Sequence, residues 1–472
     1  MSQNDRILFE LLVFFFLILL FVPSVAATEG RMYRYDAGHT GDYSLTAGNN
    51  SGSNVSLLWS VSFKNRGITT GGSTSPVAAG GVIYVNDNID GYLLALNATT
   101  GSEEWNASFG DATSSPAFLN GIVYAGSWGG TVFALNASNG KTVWTNKIPY
   151  PIQTAPVIKD DAVYFTSDNW TGYYPNAAIL YNMDETVYAF NATTGAQIWS
   201  TAIGGTSYSS PAVSDDILVM ITNNENDLYA LNKDSGMRIW NTTIGGSFSI
   251  VPPSPAINDG MVFVGTDKEY AFNLTNGISV WNVTIGGISS DPAIAEGTIY
   301  FCSNQLTALN ESTGALLWNA PMTGTEGYDS VIVANNVVYL CDYQRVMAYD
   351  AKTGSELWSW DFPGGGNMNK LALAVIENGV LYEERSTNSE FNPGGTPPRY
   401  DTSMEALKLN SNAPLPMTQR TSPVSSPYTM VSTSASTATP VSTAKVTPLL
   451  LQMTIAGIGA VFVIFIRAKK SE

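Results

Sequence analysis

Three acids stand near the entrances of adjacent strands late in the chain: Asp291, Glu326 and Asp329. Carboxylates gathered in this way are the oxygen donors that a hard cation such as Ca²⁺ takes. The same residue types also serve as turn acids facing solvent, and their spacing leaves both readings open. A second oxygen-rich stretch, Asn86-Asp-Asn-Ile-Asp-Gly, resembles the opening of a Ca²⁺ loop, but its twelfth position is Asn97, where a bidentate Glu is wanted. It reads as a turn. His39 is the only histidine, so no multi-histidine metal site can form. There is no Cys-x-x-Cys-His haem motif, and Cys302 and Cys341, 39 residues apart, read as two buried thiols.

What must position these residues is a repeat. Trp59, Trp105, Trp144, Trp199, Trp240, Trp281, Trp318 and Trp358 follow one another at intervals of 46, 39, 55, 41, 41, 37 and 40 residues. Before each Trp but the first runs a common phrase. One copy reads Ser114-Ser-Pro, Ile122-Val-Tyr-Ala, Val132-Phe-Ala-Leu-Asn, Asn139-Gly and Val143-Trp; another reads Ser210-Pro, Ile217-Leu-Val, Leu228-Tyr-Ala-Leu-Asn, Ser235-Gly and Ile239-Trp. Each copy holds four short β-branched or aromatic runs divided by Gly, Asn and Pro turns, the pattern of a four-stranded meander. Such a sheet cannot cover both its apolar faces alone, and a closed ring of sheets solves the problem. Seven copies are complete. An eighth, from about Leu371, lacks its Trp strand, whereas Val55 to Ser62 is a Trp strand lacking the rest. The expected fold is therefore all-β: an eight-bladed β-propeller of four-stranded blades, closed by the N-terminal strand.

The order Tyr-Val/Ala, Ala-Leu-Asn, Thr-Gly, Trp resembles the quinoprotein-type, or PQQ-like, propeller repeat over roughly residues 31–410. The resemblance implies that each Trp docks between neighbouring blades, and that the scaffold is shared with the outer-membrane assembly lipoprotein of the β-barrel machinery. It also implies a possible cofactor, since enzymes of the family hold the quinone over the channel with Ca²⁺, a carboxylate base and an Arg. The sequence disfavours both PQQ and calcium. Ile203-Gly-Gly, Ile244-Gly-Gly and Ile285-Gly-Gly, the stretches expected near the channel, are neutral.

Two insertions break the period. One, about Ser167 to Glu185, carries Trp170, Tyr173, Tyr174 and Tyr181; the other, about Glu383 to Ser403, carries Phe391, Arg399 and Tyr400. Both join a second strand to a third, so both are expected as loops on one face of the ring. Long loops on a rigid scaffold carry function or pack as lids on their own blade.

The ends suggest a location. Arg6, the apolar run Ile7 to Val22 and the small residues Ser24, Ala26 and Ala27 have the order of a secretory signal over 1–27, with an uncleaved anchor as the alternative. Ser411 to Pro448 is a Ser/Thr/Pro-rich disordered stalk. Leu449 to Ile466 is long enough, at about 1.5 Å per residue, for one transmembrane helix, and the basic tail 467–472 sets it cytoplasmic. Asn49, Asn54, Asn97, Asn106, Asn136, Asn169, Asn191, Asn241, Asn273, Asn282 and Asn310 are glycosylation candidates, though several lie in turns that want Asn regardless. A net charge of −17 excludes a nucleic-acid partner.

Together these features lead to a single-pass, membrane-anchored surface protein with its propeller outside the cell. It is expected to bind a protein or glycan at the looped face without catalysis. The alternatives are a PQQ- and calcium-dependent dehydrogenase, or a structural surface-layer or adhesion component.

Overall fold

The computed structural model describes residues 31–44, 54–63, 75–87, 91–110, 114–168, 185–205, 209–222, 227–245, 253–285, 290–322, 331–341, 345–361, 368–371, 374–390 and 399–410. Of the chain's two compact units, Met1–Ser432 and Thr433–Glu472, the second lies wholly outside these residues. So do the signal, the stalk, the membrane span and the basic tail. Among the described residues no helix is long and apolar enough to cross a membrane.

Eight antiparallel sheets form eight blades. Blade 1 is Val77–Ala79, Val82–Asp87, Tyr92–Asn97 and Glu103–Ser108, and blades 2 to 7 repeat this order. The first strand of each blade has three residues and faces the axis. The second and third are almost wholly buried, because sheets cover both their faces. The fourth alternates buried and exposed residues, as an outermost strand should. Inner strands of successive blades from 1 to 7 touch, and Val77–Ala79 meets Val375–Glu377 of blade 8 to close the ring.

Blade 8 is closed as the repeat arithmetic requires. Asn54–Ser62 pairs antiparallel with Arg399–Asn410, Val55 opposite Leu409 and Trp59 opposite Ala406. This joins residues more than 300 positions apart, so ring closure ties one end of the domain to the other.

The insertion in blade 8 is not a loop along most of its length. Val380–Glu390 and Arg399–Asn410 continue as one hairpin arm, with Arg385 opposite Ser403 and Asn388 opposite Tyr400. Met368–Leu371 adds a further strand along it, Lys370 opposite Ser386. Residues 385–390 lack the apolar alternation that marks a half-buried strand, which is why they read as loop; their pairing is supplied by the partner strand. In blade 3 the insertion joins Ala162–Asp168 to Glu185–Asn191, and residues 169–184 lie outside the described residues.

Candidate functional site

The tryptophans join neighbouring blades. Each indole N–H with a described acceptor reaches a carbonyl in the next blade: Trp59 to Ala98 at 3.0 Å, Trp105 to Ala137 and Trp144 to Ala192 at 2.8 Å. Trp199, Trp240, Trp281 and Trp318 donate likewise to Lys233, Leu274, Glu311 and Ala351. Under seven of the rings, all but that of Trp358, lies a glycine of the next blade's last turn, and at Gly140 a Cβ would stand 2.6 Å from Trp105. Trp105, Trp144, Trp199 and Trp358 are buried, while Trp59, Trp240, Trp281 and Trp318 are half-buried. The wedge between blades opens toward the rim, which accounts for the residual exposure. Tyrosines of the second strands, the Tyr of the repeat phrase, share the same acceptors: Tyr124 donates to Ala192 O and Tyr164 to Lys233 O.

Nearer the axis a second ring joins blade to blade. In several blades the residue before the Pro passes a hydrogen bond to the next: Ser75 N to Ser115 Oγ, Ala155 N to Ser210 Oγ, Ser210 N to Ser254 Oγ. In blade 6 that position is Asp291, whose Oδ1 accepts from Ser254 N at 2.7 Å. Its Oδ2 accepts from the Tyr33 hydroxyl and lies 3.7 Å from Arg34 Nη1. Asp291 therefore keeps the ring bond that serine makes elsewhere and adds a counter-ion for Arg34. Glu326 and Asp329 lie outside the described residues, as do Trp170, Tyr173, Tyr174, Tyr181 and Phe391. Arg399 and Tyr400 stand in the arm strand opposite Glu390 and Asn388.

Arg34 belongs to the least expected feature of the molecule. Residues 31–44, which carry none of the repeat's phrases, run through the centre of the ring. Their backbone meets the middle residue of successive inner strands: Arg31 exchanges bonds with Phe118 of blade 2, and carbonyls of Ala37, Gly38, Thr40 and Gly41 accept from Val213, Ile257, Ile294 and Val333 of blades 4 to 7. Met32 Sδ accepts from Ile158 N of blade 3. Arg34 is 1% exposed and donates to carbonyls of His39, Pro292 and Val331. His39 is fully buried beside it, edge-on to Tyr33, and burial together with the Arg34 charge lowers its pKa to about 3. Where the segment meets blades 1 and 8 a cavity of 10 Å³ remains, lined by Arg31, Met32, Tyr35, Tyr43, Ala78 and Ile376 among others. That is room for about one water. The only sequence signal was local: an Arg and two glycines in a stretch poor in strand pattern.

Asn86 is buried at the end of a strand, its amide donating to Ser114 O of the next blade. Asn97, Asn136, Asn191, Asn273 and Asn310 use Oδ1 to hold the turn that follows. Asn232 and Asp350, which are not sequons, hold the same turn the same way, so the turn itself asks for that oxygen. Asn106, Asn241 and Asn282 lie on outermost strands, and Asn54 opens the closing strand; Asn49 and Asn169 fall outside the described residues. Both cysteines are buried and neither is in a disulfide; burial pushes the Cys302 thiol up to about 12, and Cys341 Sγ lies 3.1 Å from Glu383 Oε2.

A quinone with Ca²⁺ needs an Arg and several carboxylates free to turn to it. Near the axis, Arg34 and Asp291 are engaged with each other and with backbone, and no group of three Asp, Glu, His or Cys among the described residues could hold a metal. Among the described residues, Arg34 and Asp291 do not fit the group.

A family described as outer membrane protein assembly factor BamB matches the chain over 42–121, 90–303, 183–358 and 270–385. Outer membrane protein assembly factor BamB of Salmonella typhimurium is 33% identical over 114 residues, 22% of this chain and 29% of that protein. Tetrathionate hydrolase of Acidithiobacillus ferrooxidans is 28% identical over 160 residues, 32% of this chain and 30% of that protein. The matches thus span about three-tenths of these relatives' length. Among solved structures, BamB from Moraxella catarrhalis superposes with a TM-score of 0.56 at 15% identity, covering 75% of this chain and all of that one. Quinohemoprotein alcohol dehydrogenase from Comamonas testosteroni gives 0.61 at 14%, covering 84% and 83%. Enzymes and assembly factors share this ring, and likeness at such identities speaks for the fold alone. With eight closed blades, interlocked indoles and matches running from residue 42 to 385, the chain belongs to the PQQ-like propeller family described as outer membrane protein assembly factor BamB.

Proposed function

We propose that this protein is a non-enzymatic binding scaffold, anchored in a membrane by residues 449–466, that presents its propeller outside the cell and engages a partner protein on the face carrying the two insertions. The observation that supports the reading most is the blade 8 arm. A paired hairpin with an added strand at Met368–Leu371 projects from a rigid ring, and strand edges recruit extended segments of other chains through main-chain hydrogen bonds. The relatives named as assembly factors point the same way. No cofactor is proposed, because the axial Arg and Asp are committed to structure.

The test is capture by crosslinking from intact cells, comparing the full chain with one whose arm is cut back by joining residue 385 to 403 and one lacking 169–184. A partner protein lost with either deletion supports the reading. Capture unchanged by both deletions leaves a structural spacer. Recovery of glycan alone, or co-elution of a quinone absorbance after adding quinone and Ca²⁺, replaces it with a lectin or a dehydrogenase.

A further inference from the structure

The segment 31–44 is held as a bound peptide is held. It belongs to no blade, touching the sheets through two isolated bridges, Arg31 to Phe118 and Asp42 to Val333. Its other backbone ties are single bonds to one inner strand after another, and its side chains add Tyr33 and Arg34 on Asp291, Met32 Sδ on Ile158 N, Ser44 Oγ accepting from Asn335 N, and the buried Met32, Tyr35 and Tyr43 packed against the blades. Closure of the ring does not depend on it, because Asn54–Ser62 completes blade 8 separately.

The fit is specific in sequence. One cationic side chain, Arg34, lies buried against Asp291 and three carbonyls. Two positions resist a side chain: a Cβ on Gly38 would lie 2.7 Å from Ile257 O, and Gly41 holds φ of +64° with Val331 O and Ala293 Cβ each 3.3 Å from an added Cβ. The segment also carries local strain. Arg34, Tyr35 and His39 hold φ of 56°, 79° and 56°, a region L-residues avoid, and strain of this kind collects at ligand clamps and switches.

We propose that the pore of this propeller is a peptide-binding site, and that residues 31–44 are its tethered ligand, exchangeable for an external peptide carrying an Arg followed by glycines four and seven residues later. Released, the segment leaves a ring of N–H donors on Phe118, Val213, Ile257, Ile294 and Val333, with the Asp291 carboxylate waiting for a cation. Tethering through residues 45–53 holds the segment at an effective concentration on the order of millimolar, which an untethered competitor must exceed. The pore is thereby closed in cis under ordinary conditions. This holds whether or not the insertion face binds a partner.

The experiment uses the full chain with a protease site placed within residues 45–53, cut only after folding. A fluorescent synthetic peptide of residues 31–44 is then added and followed by anisotropy and native mass spectrometry, with circular dichroism reporting the ring. The expected result is one labelled peptide per ring, displacing the cut segment while the sheet signal persists. A peptide with Arg34→Ala should bind about thirty-fold more weakly or worse, the loss expected when one partner of a buried charge pair is truncated. A Gly41→Val peptide should not enter. Exclusion of the labelled wild-type peptide from a folded, cut ring overturns the proposal. So does loss of the sheet signal on cutting, which would make the segment part of the fold's core rather than a ligand.

Discussion

The Arg34 guanidinium lies 3.7 Å from the Asp291 carboxylate, although one comes from the segment ahead of the first repeat and the other from blade 6, 257 residues apart. A buried pair of this kind costs most when only one partner is removed, because the other stays charged and desolvated. Arg34→Ala should lower stability by about 3–5 kcal/mol. Asp291→Ser restores the residue other blades use and keeps an acceptor for Ser254 N, yet should cost nearly as much. The double variant Arg34→Met with Asp291→Ser should recover much of the loss. Urea unfolding of all three checks this, and simple addition of the single effects would contradict it.

Two glycines separate backbone conformation from packing. Gly140 and Gly121 have nearly the same φ, +67° and +77°, but only Gly140 has an indole beneath it; around Gly121 nothing lies within 4 Å of an added Cβ. Gly121→Ala should cost about 1 kcal/mol, from the left-handed backbone alone. Gly140→Ala should add about 1–3 kcal/mol more by pushing Trp105 off its seat. Thermal melts of the two variants, side by side, read the difference.

Lys233 O receives two donors from the preceding blade, Trp199 Nε1 at 2.8 Å and Tyr164 OH at 3.1 Å. Either donor alone can keep that carbonyl satisfied. Trp199→Phe and Tyr164→Phe should each cost about 1–2 kcal/mol, and the double variant should cost more than their sum because the carbonyl is then orphaned. A double-mutant cycle in denaturant gives the coupling directly.

His39 should make the ring acid-sensitive. Its folded pKa of about 3 lies below the ordinary 6.5, so between those values the unfolded chain binds a proton that the folded chain does not. Stability from this group is complete above about pH 6.5 and falls by about 1.4 kcal/mol per pH unit on the way down to about pH 3. The buried acids Asp36, Glu311 and Glu377, whose folded pKa values are raised by burial, work in the opposite direction. The informative quantity is therefore the difference between wild type and His39→Asn, which tolerates the left-handed backbone. That difference should shrink as pH falls from 6.5 towards 3; a constant difference would show that His39 is not the titrating group.

The sequence by itself determined the ring. Indoles every forty residues, a Gly-bearing turn before each and an orphan Trp strand at the front are local chemistry repeated, and repetition makes local chemistry legible: eight blades, their strand order and the closure at Trp59 all follow from it. The fold decided what does not repeat. Residues 385–390 became strand because a neighbour offered backbone partners, although their own side chains show no apolar alternation. Asp291 differed visibly from the serines of its sister blades, but the reason, a cation arriving from residue 34, exists only once the ring has closed around it. The segment 31–44 carries no periodic pattern because its partners are the N–H groups of six different inner strands, set around an axis that no stretch of sequence contains. Periodic burial is written along the chain, whereas convergence on a central point is made only by tertiary structure.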